Sequence, residues 1–99
     1  MIFEPHRLYL FVEESREFVC GCFLHDVTVA IMRGYAGTGV APKYYVNLDR
    51  RDDLLVGQEV TVMEADGATV RGRGEIMDIK RTSGMRYAGR EEYMTIYIG

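Results

Sequence analysis

Residues 52–80, DDLLVGQEVTVMEADGATVRGRGEIMDIK, contain the clearest structural signal in this chain of 99 residues. Val60 and Val62 alternate with polar residues, which is the two-residue period of a half-buried β-strand. The turn signal Asp66-Gly67 follows, and a second β-type run comes after it, so the stretch predicts a β-hairpin. The register of this hairpin decides which of its side chains face the core.

Two turn lengths are compatible with the hairpin, and they place its arginines differently. A two-residue turn would pair Val60 with Arg73 and direct an arginine onto the apolar face. A three-residue loop at residues 65–67, with Gly67 in the left-handed conformation as a bulge, pairs Val60 with Gly72 instead. We predict the longer loop, because only this register gives each strand one apolar and one polar face.

This register assigns the side chains of the hairpin to two environments. The residues predicted to face the core are Val60, Val62 and Val70. The residues predicted to face water are Arg71 and Arg73. Glu59 then lies opposite Arg73, which predicts a favourable cross-strand charge pair.

Other parts of the chain also predict strands, since Tyr, Phe, Val, Thr and Ile are frequent. The runs with this character are residues 7–13, 17–24, 44–48 and 93–98. Turn signals at short intervals separate them, and no internal repeat or change of composition marks a domain boundary. The sequence therefore predicts one all-β domain, residues 1–99, built as a small antiparallel barrel or sandwich of six to seven strands.

Residues 26–32, DVTVAIM, are compatible with a strand or a helix. Asp26 could cap a short helix. Val27, Thr28, Val29 and Ile31 are β-branched, however, and β-branched residues disfavour helices. We predict a strand here, followed by an irregular segment at residues 33–43.

Composition and charge limit the classes of function. The formal net charge is −3 and the isoelectric point about 5.3, so the whole chain has no basic field that would attract polyanions. No apolar run is long enough to span a bilayer, and the first residues lack the basic region of a signal sequence. We expect a cytoplasmic protein without a membrane partner.

Cys20, Cys22 and His25 form a C-x-C-x-x-H string, for which His6 is the obvious fourth metal ligand. Alternation along a strand places both sulfurs on one face, and free cysteines are commonly buried, so we expect core packing and no metal or cofactor. A cysteine nucleophile would need His25 as base and Asp26 to orient it, which requires a turn at residues 24–27. We expect no catalytic site, and an enzyme or metal site here is the second alternative.

The segment 71–90 is basic although the chain as a whole is acidic. It has six basic and two acidic residues, a net charge of +4. A small-barrel nucleic-acid-binding protein could use this segment to contact phosphates while rings stack on bases. The residues of this first alternative are Arg71, Arg73, Lys80, Arg81, Arg86, Tyr87 and Arg90.

Tyrosines suggest a different kind of surface. In the last predicted strand Met94, Ile96 and Ile98 alternate with three residues that face outwards, Tyr93, Thr95 and Tyr97. Tyr35 lies in the glycine-rich irregular segment, where it could insert into a partner. Tyrosines are common interface anchors. Our leading interpretation is a non-catalytic interaction module of an accessory, regulatory or viral-assembly type, which binds a protein partner or forms a homo-oligomer.

Overall fold

The computed structural model describes residues 5–49, 51–82 and 93–99. Within these ranges, six strands and one short helix follow one another along the chain as β1 (His6–Val12), β2 (Ser15–Asp26), α1 (Val29–Gly34), β3 (Tyr44–Asp49), β4 (Glu59–Glu64), β5 (Val70–Thr82) and β6 (Tyr93–Ile98). The strands close a barrel in the order β1-β2-β3-β6-β5-β4, and each neighbouring pair is antiparallel. The prediction of a small antiparallel β-barrel is confirmed.

Two long strands close the barrel. β2 has 12 residues and pairs first with β1 and then with β3, while β5 has 13 residues and pairs first with β4 and then with β6. β2 carries a bulge at Val19, and β5 carries bulges at Arg71 and Met77; at each of them one residue has no opposite partner. Bulges bend a strand and increase its twist, which allows six strands to close.

The barrel encloses a core of apolar side chains contributed by every strand. Its fully buried members are Leu8, Cys22, Leu24, Val46, Leu48, Leu54, Val60, Val62, Ile76, Met94, Ile96 and Ile98. Burying one leucine or isoleucine stabilises the fold by about 1.5–3 kcal/mol. Met94, Ile96 and Ile98 all face inwards, so the predicted alternation of the last strand is confirmed.

The connection between β3 and β4 covers one end of this core. Leu54 is fully buried there. Beside it, Arg51 donates two hydrogen bonds of 2.9 Å to the carboxylate of Asp53 and one of 3.2 Å to the carbonyl of Val19. A bidentate arginine–carboxylate pair fixes the geometry of both side chains, so it helps to hold the connection over the barrel end.

The hairpin of β4 and β5 keeps the predicted faces but not the predicted register. Val60 lies opposite Gly74 and Val62 opposite Gly72, two residues further along β5 than expected. Because the shift is an even number of residues, the same face of each strand still points into the barrel. Both valines are buried.

The turn and the bulge at Arg71 each account for one residue of the shift in register. The carboxylate of Asp66 accepts hydrogen bonds from the backbone N–H and the hydroxyl of Thr69, at 3.0 and 2.8 Å. The Glu64 N–H donates to the Thr69 carbonyl at 2.8 Å, so the loop contains residues 65–68 rather than three residues. Gly67 has a φ of 71°, which confirms its predicted left-handed conformation.

The bulge at Arg71 and the new register overturn two expectations for side chains. Val70 is 47% exposed instead of facing the core. The expected pair of Glu59 with Arg73 does not form, because Glu59 lies opposite Glu75. Arg73 faces solvent as predicted, whereas Arg71 is the extra residue of a bulge and is half-buried.

The expectation of a strand at residues 26–32 is wrong. β2 ends at Asp26, and helix α1 begins at Val29 after the N-cap Thr28, whose hydroxyl accepts a hydrogen bond of 3.2 Å from the Ile31 N–H. The β-branched residues disfavour a helix, but β2 already pairs with β1 and β3, so this segment has no free strand beside it. The helix buries none of its side chains. No helix in the described ranges has the length and apolar character needed to cross a membrane.

Gly67→Ala tests the loop conformation. The substitution forces a Cβ atom into a left-handed backbone and should lower the free energy of unfolding by about 1 kcal/mol or more. Chemical denaturation of the two proteins measures the difference.

Glu14→Gly is the matched control, because the expected change in the free energy of unfolding has the opposite sign. Glu13 and Glu14 form the two-residue turn between β1 and β2 with φ values of 48° and 66°, where glycine or asparagine is normally favoured. Relief of this strain should leave stability unchanged or raise it by up to about 1 kcal/mol. A neutral Gly67→Ala, or a clear loss of stability in Glu14→Gly, would contradict the backbone described for these turns.

Candidate functional site

Six aromatic side chains form a continuous series, here called the aromatic band, which runs over the outside of the barrel from the buried ring of His6 at one end. Its rings, in order of contact, are His6, Phe23, His25, Tyr45, Tyr97 and Tyr35. Strand pairing brings them together, because His25 lies opposite Tyr45 and Tyr45 lies opposite Tyr97. The band therefore crosses four neighbouring strands, β1, β2, β3 and β6.

The centre of the band is a stack of parallel rings. The centroids of Phe23 and His25 are 4.1 Å apart with planes inclined at 21°, and those of His25 and Tyr45 are 4.7 Å apart at 15°. Aromatic pairs contribute roughly 0.5–1.5 kcal/mol beyond the area that they bury. Both faces of the His25 ring are covered, so the stack presents ring edges and polar atoms to solvent.

Tyr35 closes the other end of the band. Its hydroxyl donates a hydrogen bond of 2.6 Å to Oδ2 of Asp78, and its ring meets Tyr97 edge to face at 5.3 Å. Lys80 lies over both rings, with Nζ 5.1 Å from the Tyr35 centroid and 5.5 Å from that of Tyr97. The ammonium group thus makes cation–π contacts with two members of the band.

Burial and a nearby carboxylate keep these tyrosines protonated. Burial raises the pKa of Tyr35, and the hydrogen bond to Asp78 raises it further. Burial likewise raises the pKa of Tyr97, with added contributions from Asp78 and Tyr45. Neither hydroxyl is therefore ready to act as a base near neutral pH.

His6 links the band to the end of the barrel. It is 8% exposed, and its Nδ1 accepts a hydrogen bond of 3.1 Å from the Leu24 N–H. Burial lowers the pKa of His6; Glu64, with Oε1 3.8 Å from Nε2, opposes this effect, while Arg71 and His25 add to it. The ring accepts at Nδ1 and is therefore held in its neutral form.

The fold brings together two of the four residues predicted for partner binding. Tyr35 and Tyr97 are in direct contact within the band. Tyr93 and Thr95 lie on the same face of β6, where the Thr95 hydroxyl donates to Asn47 at 2.7 Å. All four are half-buried rather than fully exposed, because β6 lies between β3 and β5 and is not an edge strand.

The basic residues of the nucleic-acid alternative do not form one cluster within the described ranges. Arg71 is 4.0 Å from Asp26, and Nε of Arg81 is 3.8 Å from Asp52. Arg73 faces a different groove, and Lys80 covers the tyrosines of the band. These four side chains are spread over about 30 Å of β5. The other three residues, Arg86, Tyr87 and Arg90, lie outside the described residues.

The cysteines and His25 lie on opposite faces of β2. Cys22 is fully buried, which confirms its predicted core packing, and Cys20 is half-buried; the two do not form a disulfide with each other. β2 continues through Asp26, so the turn needed for a Cys–His dyad does not form and His25 stacks outside the barrel. In residues 5–49, 51–82 and 93–99, no group of three or more potential ligands is placed to hold a metal ion.

Sequence reasoning did not place four members of the band, His6, Phe23, His25 and Tyr45, on a partner-binding surface. Phe23 and His25 alternate along one face of β2, a signal that was available in the sequence. The sequence does not show whether Tyr44 or Tyr45 faces outwards. Only the pairing of β3 with β2 and β6 shows which of the two rings lies outside the barrel.

Comparison with protein-family models, with curated proteins and with solved structures finds no match for this chain.

The neutral state of His6 predicts a pH dependence of stability. Because its pKa is lowered by folding, the contribution of His6 is present above the unfolded value of about 6.5 and is lost as the pH falls through the folded value. We compare the wild type with His6→Asn, in which Oδ1 can replace Nδ1 as acceptor but cannot titrate. Between pH 7 and 5 the wild type should lose stability faster, by no more than about 1.4 kcal/mol per pH unit.

Urea denaturation at a series of pH values measures both curves. All carboxylates are common to the two proteins, so the difference between the curves reports His6 alone. A flat difference, or one in which His6→Asn is the more acid-sensitive protein, would show that His6 is not held neutral.

Proposed function

We propose that this barrel is a non-catalytic interaction module that binds a protein partner through the aromatic band. The observation that carries the proposal is the unbroken series of ring contacts from His6 to Tyr35 across four strands. Tyrosines and other amphipathic rings are enriched at the centres of protein interfaces, where they dominate the binding energy.

The order of the band favours binding at low entropic cost. Stacking fixes Phe23, His25 and Tyr45, and the hydrogen bond to Asp78 fixes Tyr35. Side chains that are ordered before association lose little freedom on binding, and each such side chain saves roughly 0.5–1.5 kcal/mol. A partner would meet a prepared surface of ring edges, hydroxyl groups and the ammonium of Lys80.

The same geometry favours a protein over a nucleic acid. Stacking on bases needs a free ring face. The faces of His25 are both occupied by neighbouring rings, and Lys80 lies over Tyr35 and Tyr97. Nucleic-acid binding through the segment 71–90 is the alternative, and it would rest partly on Arg86, Tyr87 and Arg90.

Self-association is one form of the same proposal. A two-fold dimer would use the aromatic band of both copies, since an isologous interface repeats one surface. We place the module in the cytoplasm, which suits two neighbouring cysteines that do not form a disulfide with each other.

Tyr45→Ala tests the proposal, because Tyr45 is central in the band. Truncating a central interface tyrosine costs about 2 kcal/mol or more, so recovery of the specific partner should fall at least about tenfold. Quantitative mass spectrometry of proteins captured from cells of the source organism gives the readout. Phe18→Ala is the control, since Phe18 is 56% exposed but lies outside the band.

Three results would count against the proposal. Equal capture by wild type and Tyr45→Ala, with the variant's fold verified by circular dichroism, removes the band from binding. Loss of the partner in Phe18→Ala alone would show that the binding site lies outside the aromatic band. Tight, salt-dependent binding of a labelled single strand by the wild type would favour the nucleic-acid alternative. Light scattering after size exclusion shows whether the partner is a second copy.

A further inference from the structure

A second surface of the barrel carries a groove of about 610 Å³ between β1, β4 and β5. We call it the charged groove, because charged side chains from separate parts of the chain line it: Arg16, Lys43, Glu59, Arg73 and Glu75. It shares no residue with the aromatic band. Its volume lies within the range of small-molecule sites, about 300–1,000 Å³.

The charges of the groove are arranged at a cost to the protein. Glu59 lies directly opposite Glu75, and like charges in opposed positions of a sheet repel each other. Within the described part of the chain, no opposite charge lies within 4.0 Å of any of the five charged groups. Three cations and two carboxylates therefore line one space without neutralising each other.

Thr61 provides an independent observation in the wall of the same groove. Its side chain faces outwards between Tyr9 and Arg73, yet the residue is only 5% exposed. Among the residues that the structure describes, none forms a hydrogen bond with its hydroxyl. Buried polar groups are normally paired, so an unpaired buried hydroxyl in a groove wall indicates a missing partner.

We propose that the charged groove binds a small phosphorylated molecule that also carries hydroxyl groups. Arg16, Lys43 and Arg73 are the donors for the phosphoryl oxygens, and arginine is well suited to bidentate contact with phosphate. Glu59 and Glu75 accept hydrogen bonds from the hydroxyl groups of the ligand.

The remaining wall residues complete this assignment. The Thr61 hydroxyl both donates to and accepts from the ligand, and the half-exposed ring of Phe11 covers an apolar sugar or base face. A simple anion would leave the two carboxylates unpaired and repelled, so the groove selects a molecule with an anion and hydroxyl donors together. A free sugar phosphate and a nucleotide share this chemistry.

Titration of the intact chain by isothermal calorimetry tests the proposal with ribose 5-phosphate, adenosine monophosphate, ribose and inorganic phosphate as probes. A phosphorylated probe should bind at least about tenfold more tightly than ribose or phosphate, since each of these satisfies only part of the groove. Preference for adenosine monophosphate would identify a nucleotide, and preference for ribose 5-phosphate a sugar phosphate. Equal binding of inorganic phosphate, or no binding of either phosphorylated probe, would overturn the proposal.

Thr61→Val separates the role of the hydroxyl from its packing. The substitution preserves shape and removes an unpaired polar group, so the melting temperature should change by no more than about 4 °C while affinity for the phosphorylated probe falls about tenfold. A fall in melting temperature above about 8 °C would show that the hydroxyl has a partner within the protein. Unchanged affinity would remove Thr61 from the site.

Arg73→Gln provides a second variant at an exposed position, where loss of folding is not expected. The substitution should lower the affinity for the phosphorylated probe at least about tenfold. Arg33→Gln is the matched control, because it removes the same charge from the exposed helix α1 and should leave affinity unchanged. Equal effects of the two substitutions would mean that only the overall charge matters and would overturn the assignment of Arg73.

Discussion

Closure of the barrel is the constraint on which both surfaces depend. β2 and β5 each pair with two neighbours along different parts of their length, so each of the six strands has a partner on both sides. Each strand can thereby form backbone hydrogen bonds on both sides, and the sheet has no open edge. The space inside is filled by side chains from all six strands and by Leu54. Polar and aromatic side chains are consequently directed to the outside, where each strand's alternation and pairing determine their neighbours.

The bulges decide which residues of the long strands face outwards. In β5, Arg73 and Glu75 face outwards before the bulge at Met77, whereas Asp78 and Lys80 do so after it. Strict alternation would have placed these two pairs on opposite faces. One strand therefore lines the charged groove with Arg73 and Glu75 and contacts the Tyr35 end of the aromatic band with Asp78 and Lys80. The two surfaces differ in character: the band is internally satisfied and presents ordered rings, while the groove keeps its charges and the Thr61 hydroxyl unpaired.

How far the sequence could predict this fold is clearest in the hairpin. Alternation placed Val60 and Val62 inside and identified the left-handed Gly67, because both features depend on chain neighbours. The register failed by two residues because the hydrogen bonds of Asp66 to Thr69 favour a loop one residue longer and the bulge at Arg71 adds a second residue. The expected strand at residues 26–32 failed for a different reason, since propensity cannot show that the neighbouring positions in a closed sheet are already filled.

Local chemistry in the chain was sufficient to determine the all-β class, the inward face of β4 and β6, and the turn glycine. The tertiary structure alone decided that Tyr35 meets Tyr97, that His25 stacks between Phe23 and Tyr45, and that Glu59 faces Glu75. The physical reason is that side-chain alternation depends on residues two apart in sequence. Contacts across strands depend on the order of closure and on bulges, which bring together segments that are distant in the chain.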